Sequence, residues 1–241
     1  QQQISLLKER KQILIHKAVT RGLDDSVNLK DSGVEWIGEI PEHWEVLDIR
    51  RVTIEHKQGY YSTEAYVEDG IKLLRITDFR KDGNLETAEC PMVKGVKEVY
   101  NYILIPGDFV FARTGGAGNF AIFPNSEEKI AFASYLIRFR FDLKRILKDY
   151  LKYYFNSPAF MSGVERNIHG GVNQNIHAED IKAQKITLPP IKEQLEIAKQ
   201  TNLASQKIET AINLKQQEIA KLKEYKSSLI NSVVTGKVKV C

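Results

Sequence analysis

The sequence predicts an α/β protein, a globular mixed α/β domain followed by a long coiled-coil-forming helix. The first sign is a repeat. Residues 216–236 (QQEIAKLKEYKSSLINSVVTG) fall over residues 1–22 (QQQISLLKERKQILIHKAVTRG) at an offset of 215 with no gap. Gln1, Gln2, Ile4, Leu7, Lys8, Glu9, Lys11, Leu14, Ile15, Val19 and Thr20 return as Gln216, Gln217, Ile219, Leu222, Lys223, Glu224, Lys226, Leu229, Ile230, Val234 and Thr235. A period that long is no solenoid repeat, so the chain reads as helix, globular unit, same helix again. The second sign is the absence of Gly and Pro from residues 191–235. The third is a change of texture in residues 48–188, where short β-branched and aromatic runs alternate with turn residues.

Residues 1–22 read as the end of a helix, with Ile4, Leu7, Leu14 and Ala18 on one side and Gly22 as the stop. A polar link follows at residues 23–32 (LDDSVNLKDS), then residues 33–46 (GVEWIGEIPEHWEV), which hold both tryptophans. Indoles bury a large apolar area and need one partner for the N–H, so Trp36 and Trp44 are expected to anchor the entrance of the globular unit. Strands are expected at residues 46–54, 71–76 (IKLLRI), 102–105, 108–112 (DFVFA), 121–123, 131–141 (AFASYLIRFRF) and 185–188. Turns are expected at residues 82–84, 106–108 and 115–118. Helical spacing marks residues 148–155 (KDYLKYYF) and 157–163. The domain boundaries fall near residues 30 and 190.

Pro189 and Pro190 open the last helix, and Gly236 suits its C-terminal cap. Ile191, Leu195, Ala198, Ile208, Ile212, Ile219, Leu222, Leu229 and Val233 recur mostly at steps of three, four or their sums, with Lys, Glu and Gln between them. Unbroken, the run is roughly 65 Å long. A stripe of that length calls for another helix beside it, and the expected interface residues are Leu7, Leu14, Ile208, Ile212, Ile219, Leu222, Leu229 and Val233.

A chain of 241 residues that is 42% hydrophobic can bury a sizeable core, and its net charge of +4 permits a nucleic-acid partner without demanding one. Cys90 and Cys241 are the two cysteines; there is no CxxC, and no Cys/His cluster has zinc spacing. The expectation is a chain of the reducing cytoplasm with no disulfide framework, no structural metal and no cofactor. No apolar run reaches the roughly 20 residues that span a bilayer.

Catalysis fails on inventory. Residues 116–121 fit GxGxxA on paper but open no helix, so they cannot cradle a phosphate as the dinucleotide fingerprint does. Glu127, Glu128 and Lys129 after Asp108 resemble a nuclease set only superficially, as a charged turn. His16, His43, His56, His169 and His177 show no HExxH or paired metal spacing, and no GxSxG is present.

Recognition chemistry is better supplied. Residues 75–80 place Arg75, Thr77, Asp78 and Arg80 at a strand end, and residues 113–119 place Arg113, Thr114, Gly115 and Asn119 at another. Residues 167–175 (NIHGGVNQN) add His169, Asn173, Gln174 and Asn175 around a glycine pair, and Gln58, Tyr60 and Tyr61 form a polar aromatic loop. Arg pairs bidentately with guanine and Asn or Gln with adenine, while glycines let the backbone approach phosphates. The four loops are therefore candidate DNA-binding elements. If Arg113 reads guanine, its loss should cost about 1–3 kcal/mol at one base pair.

Residues 33–46, LLRITDF at 73–79, PGDFVFARTGGAGN at 106–119 and GVNQNIHAEDIKAQKITLPPIKEQLEIA at 171–198 resemble the target-recognition half of a specificity subunit of type I restriction-modification systems. The terminal LKEYKSSLINSVVTGKV fits the same pattern, so the resemblance covers essentially the whole chain. It implies a non-catalytic DNA target-recognition domain (residues 30–190), the end of a conserved helix (1–22) and a long conserved helix (191–235). The partners it implies are double-stranded DNA, the adenine methyltransferase (modification) subunit docked on the helices, and the restriction subunit through the assembled complex. A full subunit of this family carries two recognition domains, whereas this chain carries one. It resembles either the second half of a full subunit or a naturally short half-subunit. The uncovered stripe then predicts a homodimer with antiparallel rods, recognition domains at opposite ends, each contacting one half of a bipartite target. The alternative is a coiled-coil adaptor whose head binds protein, distinguished by DNA affinity without steep salt dependence.

Overall fold

Helix α1 spans Gln2–Arg21 and ends at Gly22, whose φ of 74° is the left-handed turn that glycine tolerates best. Its repeat ends the same way, at Gly236 with φ 70°. These elements come from a computed structural model of the chain, which describes residues 1–80, 82–168 and 175–236. His169, Asn173 and Gln174 lie outside the described residues. The described residues form two compact units, one of residues 15–198 and one of residues 1–14 with those from Lys199 onward.

In the larger unit, β1 (Leu29–Asp31) pairs antiparallel with β2 (Glu39–Pro41), so the polar link contains a short strand. The expected strand at residues 46–54 is two strands. β3 (Glu45–Asp48) pairs with a later strand, β4 (Thr53–Gln58) joins another sheet, and a 3-10 turn at Ile49–Val52 separates them. Apolar alternation ran through both because Ile49 and Val52 are themselves buried. β5 (Ile71–Leu74) lies between β6 (Met92–Val93, antiparallel) and β9 (Ile130–Phe132, parallel). The strand expected at residues 102–105 is absent. Val99–Tyr102 form a 3-10 turn, and Ile103 makes only an isolated bridge to Ala131.

The four-stranded sheet has the order β4, β10 (Leu136–Phe141), β7 (Phe109–Ala112), β8 (Phe120–Ile122), antiparallel throughout. Residues 131–141 are thus also two strands in two sheets. A turn closed by the Leu136 N–H donating to Ala133 O (2.9 Å) parts them. All four residues of β7 are buried, as an inner strand covered on both faces requires. Phe109 and Phe111 join Phe139, Phe141, Phe155 and Phe160 on one face. Ring centroids there are 5.0 Å apart for Phe111–Phe155 and 4.8 Å for Phe155–Phe160. Each fully buried ring contributes about 1.5–3 kcal/mol. Val110 and Ala112 meet Leu74, Phe123 and Phe132 on the other face.

The helices around this sheet follow the sequence closely. α2 is Lys148–Phe155, α3 is Pro158–Arg166 with Ser157 Oγ accepting from Phe160 N, and α4 (Ala178–Ala183) was not anticipated. At six residues, α4 is too short to show a period. β11 (Lys185–Leu188) pairs antiparallel with β3. The end of α1 is built into this core, with Ile15, Ala18, Val19 and Thr20 buried. Val19 O accepts from Thr187 Oγ1 at 2.6 Å. Trp44 is fully buried and donates from Nε1 to Glu193 Oε2 at 2.8 Å, which satisfies the expectation of a packing anchor. Trp36 is half-buried against the same core, with the Arg166 guanidinium 4.7 Å from its ring.

α5 runs unbroken over Ile191–Val234. In the smaller unit Ile208 and Ile212 are buried, and Lys11 Nζ bonds Glu209 Oε1 at 2.6 Å, so α1 lies alongside α5 there. Further on, Ile219 is half-buried, while Leu222 (59% exposed), Leu229 (41%) and Val233 (40%) are open. No helix among the described residues is long and apolar enough to cross a membrane.

Candidate nucleic-acid interface

The ends of β4, β5 and β7 meet at one turn, Ala133-Ser134-Tyr135. Gln58 Nε2 donates to Ser134 O (3.0 Å), Ala133 N donates to Leu74 O (3.0 Å), and Arg113 N donates to Tyr135 O (2.9 Å). Tyr60 bridges to Ala133 in parallel, and its N–H donates to Phe132 O at 2.8 Å. Gly59 is required at this crossing, because a β-carbon there would stand 2.1 Å from Ala133 O. Sequence reading missed the turn because Ser134 and Tyr135 sit inside a run that otherwise alternates like a strand. The signal available was the polar Ser134 at a position where a buried strand has no use for it.

The turn brings three of the four expected loops together. In the first, Tyr61 is 73% exposed, whereas Tyr60 is half-buried with its ring 5.4 Å from that of Tyr102. In the second, Asp78 faces inward at 6% exposure and accepts from Arg75 N (2.8 Å), Arg75 Nη2 (3.0 Å), Thr77 Oγ1 (3.2 Å) and Cys90 Sγ (3.3 Å). The hydrogen bond to Asp78 raises the pKa of Arg75 above its ordinary value. Burial, with help from Asp78, pushes the Cys90 thiol up to about 12. Arg75 and Asp78 thus brace the loop, while Thr77 and Arg80 are exposed, Arg80 near Glu86 at 3.4 Å. In the third loop Gly115 and Asn119 are exposed, and Thr114 is half-buried. Of the fourth loop Asn175 is described; it bridges antiparallel to Thr114, and Thr114 Oγ1 donates to Asn175 Oδ1.

A cleft of about 200 Å³ opens beside β4, lined by His56, Lys57, Gln58, Arg113, Ile137, His177 and the start of α4. The sequence offers His56 and His177 only as metal ligands; His56 comes beside Gln58 and Arg113 through the β4–β10–β7 pairing, and His177 through Ile176 N donating to Arg113 O at 2.9 Å. Arg113 is half-buried, and its Nε is shut off from water with no acceptor. Two of the carboxylates that resemble a nuclease set, Asp108 and Glu128, are engaged elsewhere. Asp108 holds Arg140 (Nε–Oδ1 2.7 Å) and Glu128 holds Lys72 (2.8 Å). The Lys72 hydrogen bond lowers the pKa of Glu128. Among the described residues, no group of three or more His, Cys, Asp or Glu could hold a metal ion.

Residues 41–224 match the family model of the type I restriction modification DNA specificity domain. The MjaVIII type I restriction enzyme specificity subunit of Methanocaldococcus jannaschii is 27% identical over 99% of this chain and 56% of its own length. The EcoKI specificity subunit of Escherichia coli is 26% identical over 68% of the chain and 37% of its own length. The crystal structure of the HsdS subunit from Thermoanaerobacter tengcongensis superposes with a TM-score of 0.62 at 15% identity, over 98% of this chain and 53% of that one. A structure described as the basis of complex assembly and conformational transition of the type I R-M system gives 0.68 at 14% identity, over 96% and 53%. At these identities the superpositions speak for the fold. The chain spans about half the length of the relatives it matches along nearly its whole extent.

Proposed function

Because the chain belongs to the type I restriction modification DNA specificity family, we propose that it reads one half of a bipartite double-stranded DNA target and docks the adenine methyltransferase subunit through its helices. The restriction subunit joins through the assembled complex, and the chain itself supplies specificity and no chemistry. We assign reading to residues 30–190 and docking to residues 1–22 and 191–235. The observation that carries the proposal is the convergence of loop ends on Ala133-Ser134-Tyr135, which gathers Tyr61, Thr77, Arg80, Asn119 and the Thr114–Asn175 bridge in one unit. Of these, Thr77, Arg80 and Asn119 have the donors and acceptors that read base edges or grip phosphates, and they stand exposed. Arg75, Asp78 and Tyr60 serve by holding the loops in shape.

For the helices, Ile208, Ile212, Lys215, Ile219, Leu222, Lys226, Leu229 and Val233 follow one another at alternating steps of four and three. That is a heptad seam, with lysine at two core positions that set register at a cost in stability. Its first part is covered within the smaller unit and its second part is open. We infer that two copies pair along the open part as an antiparallel homodimer of half-subunits, and that the methyltransferase subunit docks on helix faces outside this seam. Sedimentation of a concentration-independent monomer would remove the homodimer.

The test of the whole is reconstitution with the modification subunit of the same system, followed by mapping of methylated adenines. Methylation confined to one recurring sequence is expected. Methylation that ignores sequence, or proceeds equally without this chain, overturns the reading.

A further inference from the structure

The cleft beside β4 has the lining of an anion site. His56, Arg113 and His177 contribute imidazole and guanidinium groups, Gln58 adds the amide proton that its bond to Ser134 O leaves over, and no carboxylate is among the described lining residues. The Arg113 Nε–H is buried without an acceptor, and a buried donor left unmade is costly enough that native structures rarely keep one without a reason. An anion that drew the guanidinium a little further into the cleft would give that donor an acceptor. Lys57 is not part of that charge. Its ammonium turns away to Asn101 O (3.0 Å) and lies 4.4 Å from the Tyr102 ring centroid. The nearby acids are engaged. Glu179 stands 4.0 Å from His56 but is held by Lys182 at 2.7 Å, and Asp180 accepts from the His177 backbone N–H at 2.8 Å. At about 200 Å³ the space falls short of the roughly 300–1,000 Å³ of ordinary small-molecule sites, and it suits one phosphate group.

We propose that this cleft seats a backbone phosphate of the DNA, with Arg113 as its principal contact and His56, Gln58 and His177 around it. Arg113 then positions the duplex and does not read guanine. The proposal rests on the reading of the larger unit as a DNA-binding unit. It sharpens that reading by separating a phosphate anchor at β4 and β7 from the exposed loop residues that face the bases. Half-burial favours it, because a guanidinium that reads a base edge must extend into the groove, whereas a phosphate can be drawn down to a recessed one.

The experiment measures binding of the full chain to its target duplex and to a scrambled duplex across a salt series. Arg113→Gln is expected to weaken both by a similar factor and to reduce the slope of log K against log salt by about 1. Arg113→Lys keeps the charge and should keep the slope, and it decides the matter if the Gln variant melts early. His177→Gln should act in the same direction as Arg113→Gln. A loss confined to the target duplex, or an unchanged slope for Arg113→Gln, overturns the phosphate site while leaving DNA binding intact. Failure of the unaltered chain to bind any duplex overturns the DNA reading itself.

Discussion

Gln194 fixes the point where α5 leaves the larger unit, and replacing it with Leu tests how firmly. The residue is fully buried in the first turn of the helix. Its Oε1 accepts from Leu147 N at 2.7 Å, and its Nε2 donates to Arg145 O at 3.1 Å and to Pro189 O at 2.8 Å. One side chain thus ties the segment before α2 to the segment before α5. Gln194→Leu keeps most of the volume and strips all three bonds. The Leu147 N–H is left without an acceptor, and two carbonyls each lose a donor. An unsatisfied buried group costs about 1–3 kcal/mol; the N–H bears the full penalty, and a carbonyl with a second lone pair less. The expected loss is about 2–4 kcal/mol, or roughly 5–15 °C in melting temperature for a unit of this size. Both tryptophans belong to this unit, and Trp44 bonds the neighbouring Glu193. Urea unfolding followed by tryptophan fluorescence therefore reads the change directly. A loss under about 0.5 kcal/mol, the scatter of neutral surface substitutions, would show that the amide does not hold this junction.

Three further outcomes follow from the same geometry. Gly59→Ala drives a β-carbon to within 2.1 Å of Ala133 O and 2.5 Å of Phe132 O; it should destabilise by more than about 3 kcal/mol, measured by thermal melting. Leu222→Asp, on the open stripe, should leave the melting of the larger unit within about 0.5 kcal/mol and abolish self-association in sedimentation. Burial alone would raise the pKa of Glu55, but Arg138 and Arg140 outweigh it and hold it below the ordinary glutamate value. The stability this carboxylate supplies is therefore present above that value and is lost as pH falls through its lower folded value. Glu55→Gln should flatten the acid side of the stability profile, and an unaltered profile would remove the carboxylate from acid unfolding.

Long elements were legible in the sequence and junctions were not. α5 and α1 announced themselves because a heptad stripe and a 215-residue repeat are signals spread over many positions. α2 and β11 were found at their observed bounds, α2 stopping at Asn156 and β11 lying between Gln184 and Pro189. Residues 46–54 and 131–141 were read as single strands because buried residues in a 3-10 turn or a tight turn continue the apolar rhythm of the strands they join. Periodicity reports burial, not pairing. The candidate loops were recognisable from their Arg, Asn and Gly content. Which of their side chains are free to act was hidden, since the turning inward of Asp78 and the bracing of Arg75 depend on Cys90 and on backbone donors brought in by the fold. The cleft residues His56 and His177 were invisible as a pair, being 121 positions apart and brought together through sheet pairing on one side and the Ile176–Arg113 backbone bond on the other.

Selection from a pool of random duplexes by the purified chain tests most directly whether the larger unit reads DNA sequence. Enrichment of one short sequence, recurring as two copies at a fixed spacing as a homodimer of half-subunits requires, with retention weakened by substitution of Arg80 or Asn119, is the expected result. A pool that stays random after repeated rounds, at salt low enough for binding, would be the opposite result and would take sequence reading away from this unit.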